Sequence, residues 1–140
     1  MKLFNKKREF EEVNQISAWI VKDDEDNFAW VAIFNGSAFP VSRIILSTVN
    51  IQVKASSGLR TPNELRSFLS IVPPGKYYTR LQIHHGMNFL SGVEIAFKDR
   101  HGKSWVRNGD GFLSKISQSP EEYYGLPLPI SWENPKEKID

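Results

Sequence analysis

Ser104-Trp105-Val106-Arg107 places an indole and a guanidinium two residues apart, and on a strand that spacing puts both on one face. If exposed, Trp105 and Arg107 would make an interface anchor, because large rings and planar cations bury well against a partner. The competing expectation is that Trp105 packs across the core. Trp19, Trp30 and Trp132 could likewise line a platform for a sugar or peptide, but Trp19 and Trp30 stand in the most apolar stretches and read as core.

Acid–base, metal and nucleophile chemistry is less well provided for. Asp23-Asp24-Glu25-Asp26 has the carboxylates a calcium ion wants, yet lacks the alternating spacing and glycine of an EF-hand loop, so it reads as a solvated connection. His84 and His85 are adjacent, so their side chains diverge on a strand, and His101 lies in a turn. No cysteine is present, which excludes thiolate zinc sites, disulfides and cysteine nucleophiles. The serines lack a nucleophile-elbow signature, although a triad assembled from distant positions leaves no local trace. Glu94 and Asp99 could pair as carboxylates, but Glu94 alternates outward on a strand and Asp99 opens a turn. Asn35-Gly36-Ser37 has the form of a glycosylation acceptor and, with no secretion signal, reads as turn chemistry. No catalytic residue, metal ligand or cofactor is expected.

Composition narrows the class further. A formal charge of +2 from 18 basic and 16 acidic residues offers no basic field for nucleic acid, and the one cluster, Lys6-Lys7-Arg8, is followed at once by Glu9, Glu11 and Glu12. No apolar run is long enough to span a bilayer. Charges at Lys6, Lys7 and Arg8 interrupt what would be the apolar centre of a leader. A cytoplasmic protein is expected, or one on the cytoplasmic face of a membrane if the chain belongs to a longer one.

Period-2 alternation dominates the rest. Val93, Ile95 and Phe97 alternate with Glu94 and Lys98, which predicts a strand with the apolar set buried and Glu94 and Lys98 in solvent. Asp99-Arg100-His101-Gly102 then turns the chain into the strand carrying Trp105. Further strands are predicted at 16–21, 28–34, 68–72, 77–83 and 112–116, and over the long run 41–53, which is expected to bend or change sheets. Thr61-Pro62-Asn63-Glu64 has the form of a capped helix start, and Ser119-Pro120-Glu121-Glu122 caps one helical turn that Gly125 ends. Residues 1–15 form a charged, helical lead-in with Leu3, Phe4, Phe10 and Val13 at helix-compatible spacings; residues 16–126 form the domain; residues 127–140 form a proline-spaced tail. About seven strands with turns roughly every ten residues predict an antiparallel sandwich.

Several segments resemble one family of uncharacterised bacterial immunoglobulin-like domains. They are Ser17-Ala18-Trp19, Asn35-Gly36-Ser37 with Pro40-Val41, Val72-Pro73-Pro74-Gly75, and Val93 to Asp99 with Gly102, Trp105, Val106 and Arg107. Glu122-Tyr123-Tyr124-Gly125-Leu126 extends the likeness, which spans roughly residues 12–127. The resemblance implies a fold and no reaction; some such domains follow membrane segments joined by a charged helix like Lys6 to Val13.

The expected fold is therefore an all-β, immunoglobulin-like sandwich with short peripheral helices. The leading expected function is a non-catalytic interaction module; the alternative is carbohydrate binding through exposed aromatics, and a hydrolase is third. Strand 16–21 and the outer half of 41–53 are the predicted sheet edges, either of which could pair with a protein partner or with a second copy.

Overall fold

The computed structural model describes the backbone of residues 2–54 and 56–139 and the side chains of 6–54 and 56–139. The expected apolar positions Leu3 and Phe4 thus have side chains outside the described residues, as do Met1, Ala55 and Asp140 altogether. Among the described residues the order is α1 (Lys2–Val13), β1 (Ile16–Asp24), β2 (Phe28–Asn35), β3 (Val41–Asn50), β4 (Arg66–Val72), β5 (Gly75–Gln82), β6 (Ser91–Lys98), β7 (Ser104–Arg107), β8 (Leu113–Ile116) and α2 (Pro120–Tyr123).

The strands form two antiparallel sheets, β1-β2-β5 and β4-β3-β6-β7-β8, packed as a sandwich. Inward residues of both sheets make the main core: Ile16, Val31 and Ile33 from one, Ile44, Leu46, Ile95 and Phe97 from the other. Each fully buried side chain of this size contributes about 1.5–3 kcal/mol. The β1–β2 hairpin closes through the three residues Glu25-Asp26-Asn27, with Asp26 and Asn27 at positive φ (59° and 62°), so two of the four carboxylates weighed for calcium serve the turn. Helix α1 closes one end of the core with Val13, its Phe10 ring edge-on to Trp105 at 6.2 Å. Its Glu9 and Glu12 bind Lys103 (2.8 Å) and Arg100 (3.0 Å) in the β6–β7 connection.

Three sequence expectations need correction. The 41–53 run neither changes sheets nor lies at an edge: β3 is flanked by β4 and β6, kinks at Arg43 (φ 50°) where the β6 register shifts, and ends at Asn50. Thr61 does not cap an α-helix; its hydroxyl donates to the Thr48 carbonyl at 2.8 Å, and only a 3₁₀ turn follows at Asn63–Leu65. Glu94 is not in solvent. Val93, Ile95 and Phe97 do face the core, but Glu94 is only 2% exposed, because the outer face of the five-stranded sheet is itself covered. There Ile45, Ala96, Val106 and Tyr124 form a second apolar cluster with Phe68, Leu126 and Trp132 packed on it.

Tyr124 and Leu126, with Trp132 of the tail, make that cover. The tail then pairs with two strand edges: Ser70 N–H donates to the Glu133 carbonyl at 2.9 Å and Glu133 N–H to the Phe68 carbonyl at 2.9 Å. Tyr78 and Lys136 then exchange two bonds of 2.7 Å, so one segment covers both β4 and β5. Strand edges left unpaired invite association, and this tail occupies two of the four.

Candidate functional site on the outer face of the three-stranded sheet

The register of β1, β2 and β5 sets rows of side chains on the face turned away from the core. Trp19 stands opposite Ala32, which stands opposite Tyr78; Phe34 lies between Ser17 and Lys76; Trp30 lies between Lys22 and Arg80. Trp19 and Phe34 are each 41% exposed and the bulged Val21 44%. Exposed apolar residues gathered on one face mark a contact surface more than scattered ones do.

Cations overlie the aromatics. Lys76 Nζ sits 5.3 Å from the Trp19 ring and 5.9 Å from that of Tyr78, Arg80 lies 4.5 Å over Phe28, and Lys136 Nζ is 5.5 Å from Trp30. These are cation–π distances, each worth about 0.5–1 kcal/mol at an exposed site. Asp24, bound to Arg80 at 3.0 Å, is one carboxylate on a face that also carries Lys22, Lys76 and Lys136. The face is therefore aromatic at its centre and cationic around it.

One border of this face is the β1 edge. Gly36 N–H donates to the Gln15 carbonyl, while the Ile16 carbonyl accepts from Arg107 Nε at 3.0 Å on the other side. Strand alternation then turns the main-chain groups of Ala18 and Ile20 outward. The bulge at Val21 and the charges of Lys22-Asp23-Asp24 limit the open stretch, as edges in soluble proteins generally are limited.

The residues singled out in the sequence lie elsewhere. Trp105 is 5% exposed, part of the main core, with its indole N–H donating to Asp99 Oδ2 at 3.0 Å. Arg107 extends from the same strand face to the carbonyls of Ile16, Asn14 (2.8 Å) and Gly111 (2.8 Å), tying β1 to β7. The two share a face, as the spacing required, but that face is turned inward, and burial pushes the Arg107 guanidinium below its ordinary value. Asp99 also accepts from His101 N–H and Lys103 N–H, organising the hairpin turn. Asn35 is buried, its amide donating to the carbonyls of Phe39 and Val72 while its Oδ1 accepts from Ser37, so the triplet holds a turn. His84 and His85 are exposed; His84 meets Phe89 edge-on at 4.5 Å and borders a cavity of about 370 Å³ with Thr48, Arg60 and Leu65. No carboxylate lines that cavity. Among the described residues no cluster of three metal-ligating side chains forms and no helix is long and apolar enough to cross a membrane.

Sequence reasoning missed a buried polar network on the covered sheet. Glu94 Oε2 accepts from Tyr124 Oη at 2.7 Å and from Gly58 N–H at 3.0 Å. Arg66 donates to Ser47 Oγ, to the carbonyls of Gly58 and Thr61 (2.9 Å each) and to Asn63, and its guanidinium lies 4.3 Å over the Tyr124 ring. Burial pushes the Glu94 carboxyl up, opposed by those two hydrogen bonds and by Arg66. Burial and the Glu94 charge hold the Tyr124 hydroxyl well above its ordinary value, so it remains a donor through the neutral range. Only the Glu94 register and the tyrosines at 123–124 hinted at it; the partners come from five separate segments.

No protein-family model matches the chain, and no curated protein or solved structure is significantly similar to it.

Proposed function

We propose that this chain is a non-catalytic interaction module, an immunoglobulin-like sandwich that docks a protein partner on the outer face of β1-β2-β5. The observation that carries the reading is the exposure of Trp19 and Phe34 on a face set with Lys22, Lys76 and Arg80. The partner has an apolar centre and an acidic rim, because that is what complements aromatic residues among cations. The strand order 1-2-5 facing 4-3-6-7-8, with crossings between sheets, supports the immunoglobulin-like description. A cytoplasmic site of action agrees with the absence of cysteine.

Two other occupants fit less well. Sugar platforms present bare ring faces, and here Lys76 shares the Trp19 and Tyr78 rings. A second copy docked face to face would set the same cations against each other, and β1-to-β1 pairing meets the Val21 bulge.

The test compares proteins retained by the wild-type chain and by the Trp19→Ala/Phe34→Ala double variant. Support is an acidic protein that is lost with the variant, weakened by salt, and rebinds when both purified components are mixed. If no protein separates the two baits, the reading fails. Oligosaccharide binding lost in the same variant would put carbohydrate recognition in its place, and a dimer by light scattering that Ala18→Pro disrupts would assign the β1 edge to self-association.

A further inference from the structure

The covered sheet holds a second, independent feature. A cavity of about 210 Å³ opens between the outer faces of β6, β7 and β8, the Ser56-Ser57 segment and Tyr123 of α2. Glu94 lines it together with Asn108, Phe112 and Ser114. Pockets for drug-sized ligands run to about 300–1,000 Å³, so this one suits a molecule of only a few heavy atoms.

Its chemistry is that of an acceptor site. Both donors to the Glu94 carboxylate, Tyr124 Oη and Gly58 N–H, go to Oε2. A carboxylate has room for about four donors, so Oε1 retains its full capacity. Arg66, the cation nearest in the network, spends its donors on Ser47, Gly58, Thr61 and Asn63, and makes no ion pair with Glu94 among the described residues. Glu94 as a whole is only 2% exposed, and the carboxylate oxygen that takes neither donor gains from a donor-rich ligand. The rings of Phe112 and Tyr123 supply an aromatic wall, which a cation tolerates and an anion does not.

We propose that this cavity is a binding site for a small organic cation, whose ammonium group donates to Glu94 Oε1 while its short carbon skeleton lies against Phe112 and Tyr123. Arg66 across the network favours the ionised carboxylate, and Tyr124 and Tyr123 stay neutral, so the site presents one negative charge to the ligand. The site lies on the opposite sheet from the docking face and stands or falls apart from it.

Ethylammonium and its neutral analogue 1-propanol are the probes, titrated into the full chain and followed by amide chemical shifts. The expected result is a saturating shift at Gly58, Glu94 and the Ser56-Ser57 segment for ethylammonium alone, strengthening as pH rises through the titration of Glu94. Glu94→Gln keeps the side-chain size and should weaken binding at least about tenfold, the effect of losing one charge-assisted contact. If Glu94→Gln does not fold, Ser56→Val, which fills the cavity from another wall, should abolish the shifts. Equal binding of 1-propanol, no saturation at millimolar ethylammonium, or undiminished binding by a folded variant would overturn the proposal.

Discussion

The two sheets treat their outer faces in opposite ways. The five-stranded sheet turns Glu94, Ala96, Ile45 and Val106 outward and then buries them under the tail, α2 and the 56–61 segment. The three-stranded sheet turns Trp19, Phe34 and Tyr78 outward and, apart from Lys136 over Trp30, leaves them to solvent and neighbouring cations. Chemical character alone would reverse the assignment, since a glutamate is inside and a tryptophan is half outside. The difference is one of cover: a polar group can be buried where donors converge on it, and an aromatic can be exposed where something else is to bury it.

The largest effect should come from breaking the covered face. Arg66→Ala removes donors to Ser47, Gly58, Thr61 and Asn63 and leaves Glu94 without its stabilising cation, at a cost of about 3–5 kcal/mol in chemical denaturation. A loss under about 1 kcal/mol would mean that this face is not held by the network. Gly58→Ala comes next. An added Cβ would collide with the Glu94 carboxylate, so one of the two must shift, at about 1–3 kcal/mol.

The pH dependence of Glu94 sharpens the contrast. Burial raises its folded pKa above the ordinary value of 4.5. The folded state therefore holds the proton more tightly, and the stability this contributes is complete below the ordinary value and lost as pH rises through the raised one. Comparing wild type with Glu94→Gln by thermal unfolding across that range, the wild type should lose ground steadily as pH rises; parallel profiles would remove the carboxyl from the account.

The smallest stability effect belongs to the open face. Trp19→Ala should change stability by under about 1 kcal/mol, since the ring is half exposed and its main partner is the Lys76 ammonium. A loss near 3 kcal/mol would make Trp19 part of the core and weaken its assignment to a partner.

Much of this was legible along the chain, and the reason is local. Alternation in 93–97 places three side chains on one face wherever the strand goes, and Asp99 turns the hairpin through bonds to its own neighbours His101 and Lys103. Ser119 caps α2 by accepting from Glu122 N–H, and Gly125 leaves it at φ 61°, both within six residues. The antiparallel sandwich follows from such segments, because each must bury one face.

What only the tertiary structure decided is which faces are buried twice. Nothing in the sequence near Glu94 announces Tyr124, thirty residues on, or Gly58, thirty-six residues back, as its donors. Nor does Ser104-Trp105-Val106-Arg107 reveal that Arg107 turns inward to carbonyls over ninety residues away. Period-2 patterning tells one side of a strand from the other, but solvent is excluded by whatever lies on top, and that depends on where distant chain returns. Tyr124 and the Gly58 segment return over Glu94, while the tail meets the three-stranded sheet at its β5 border and with Lys136 over Trp30, and so Glu94 is inside while Trp19 remains available.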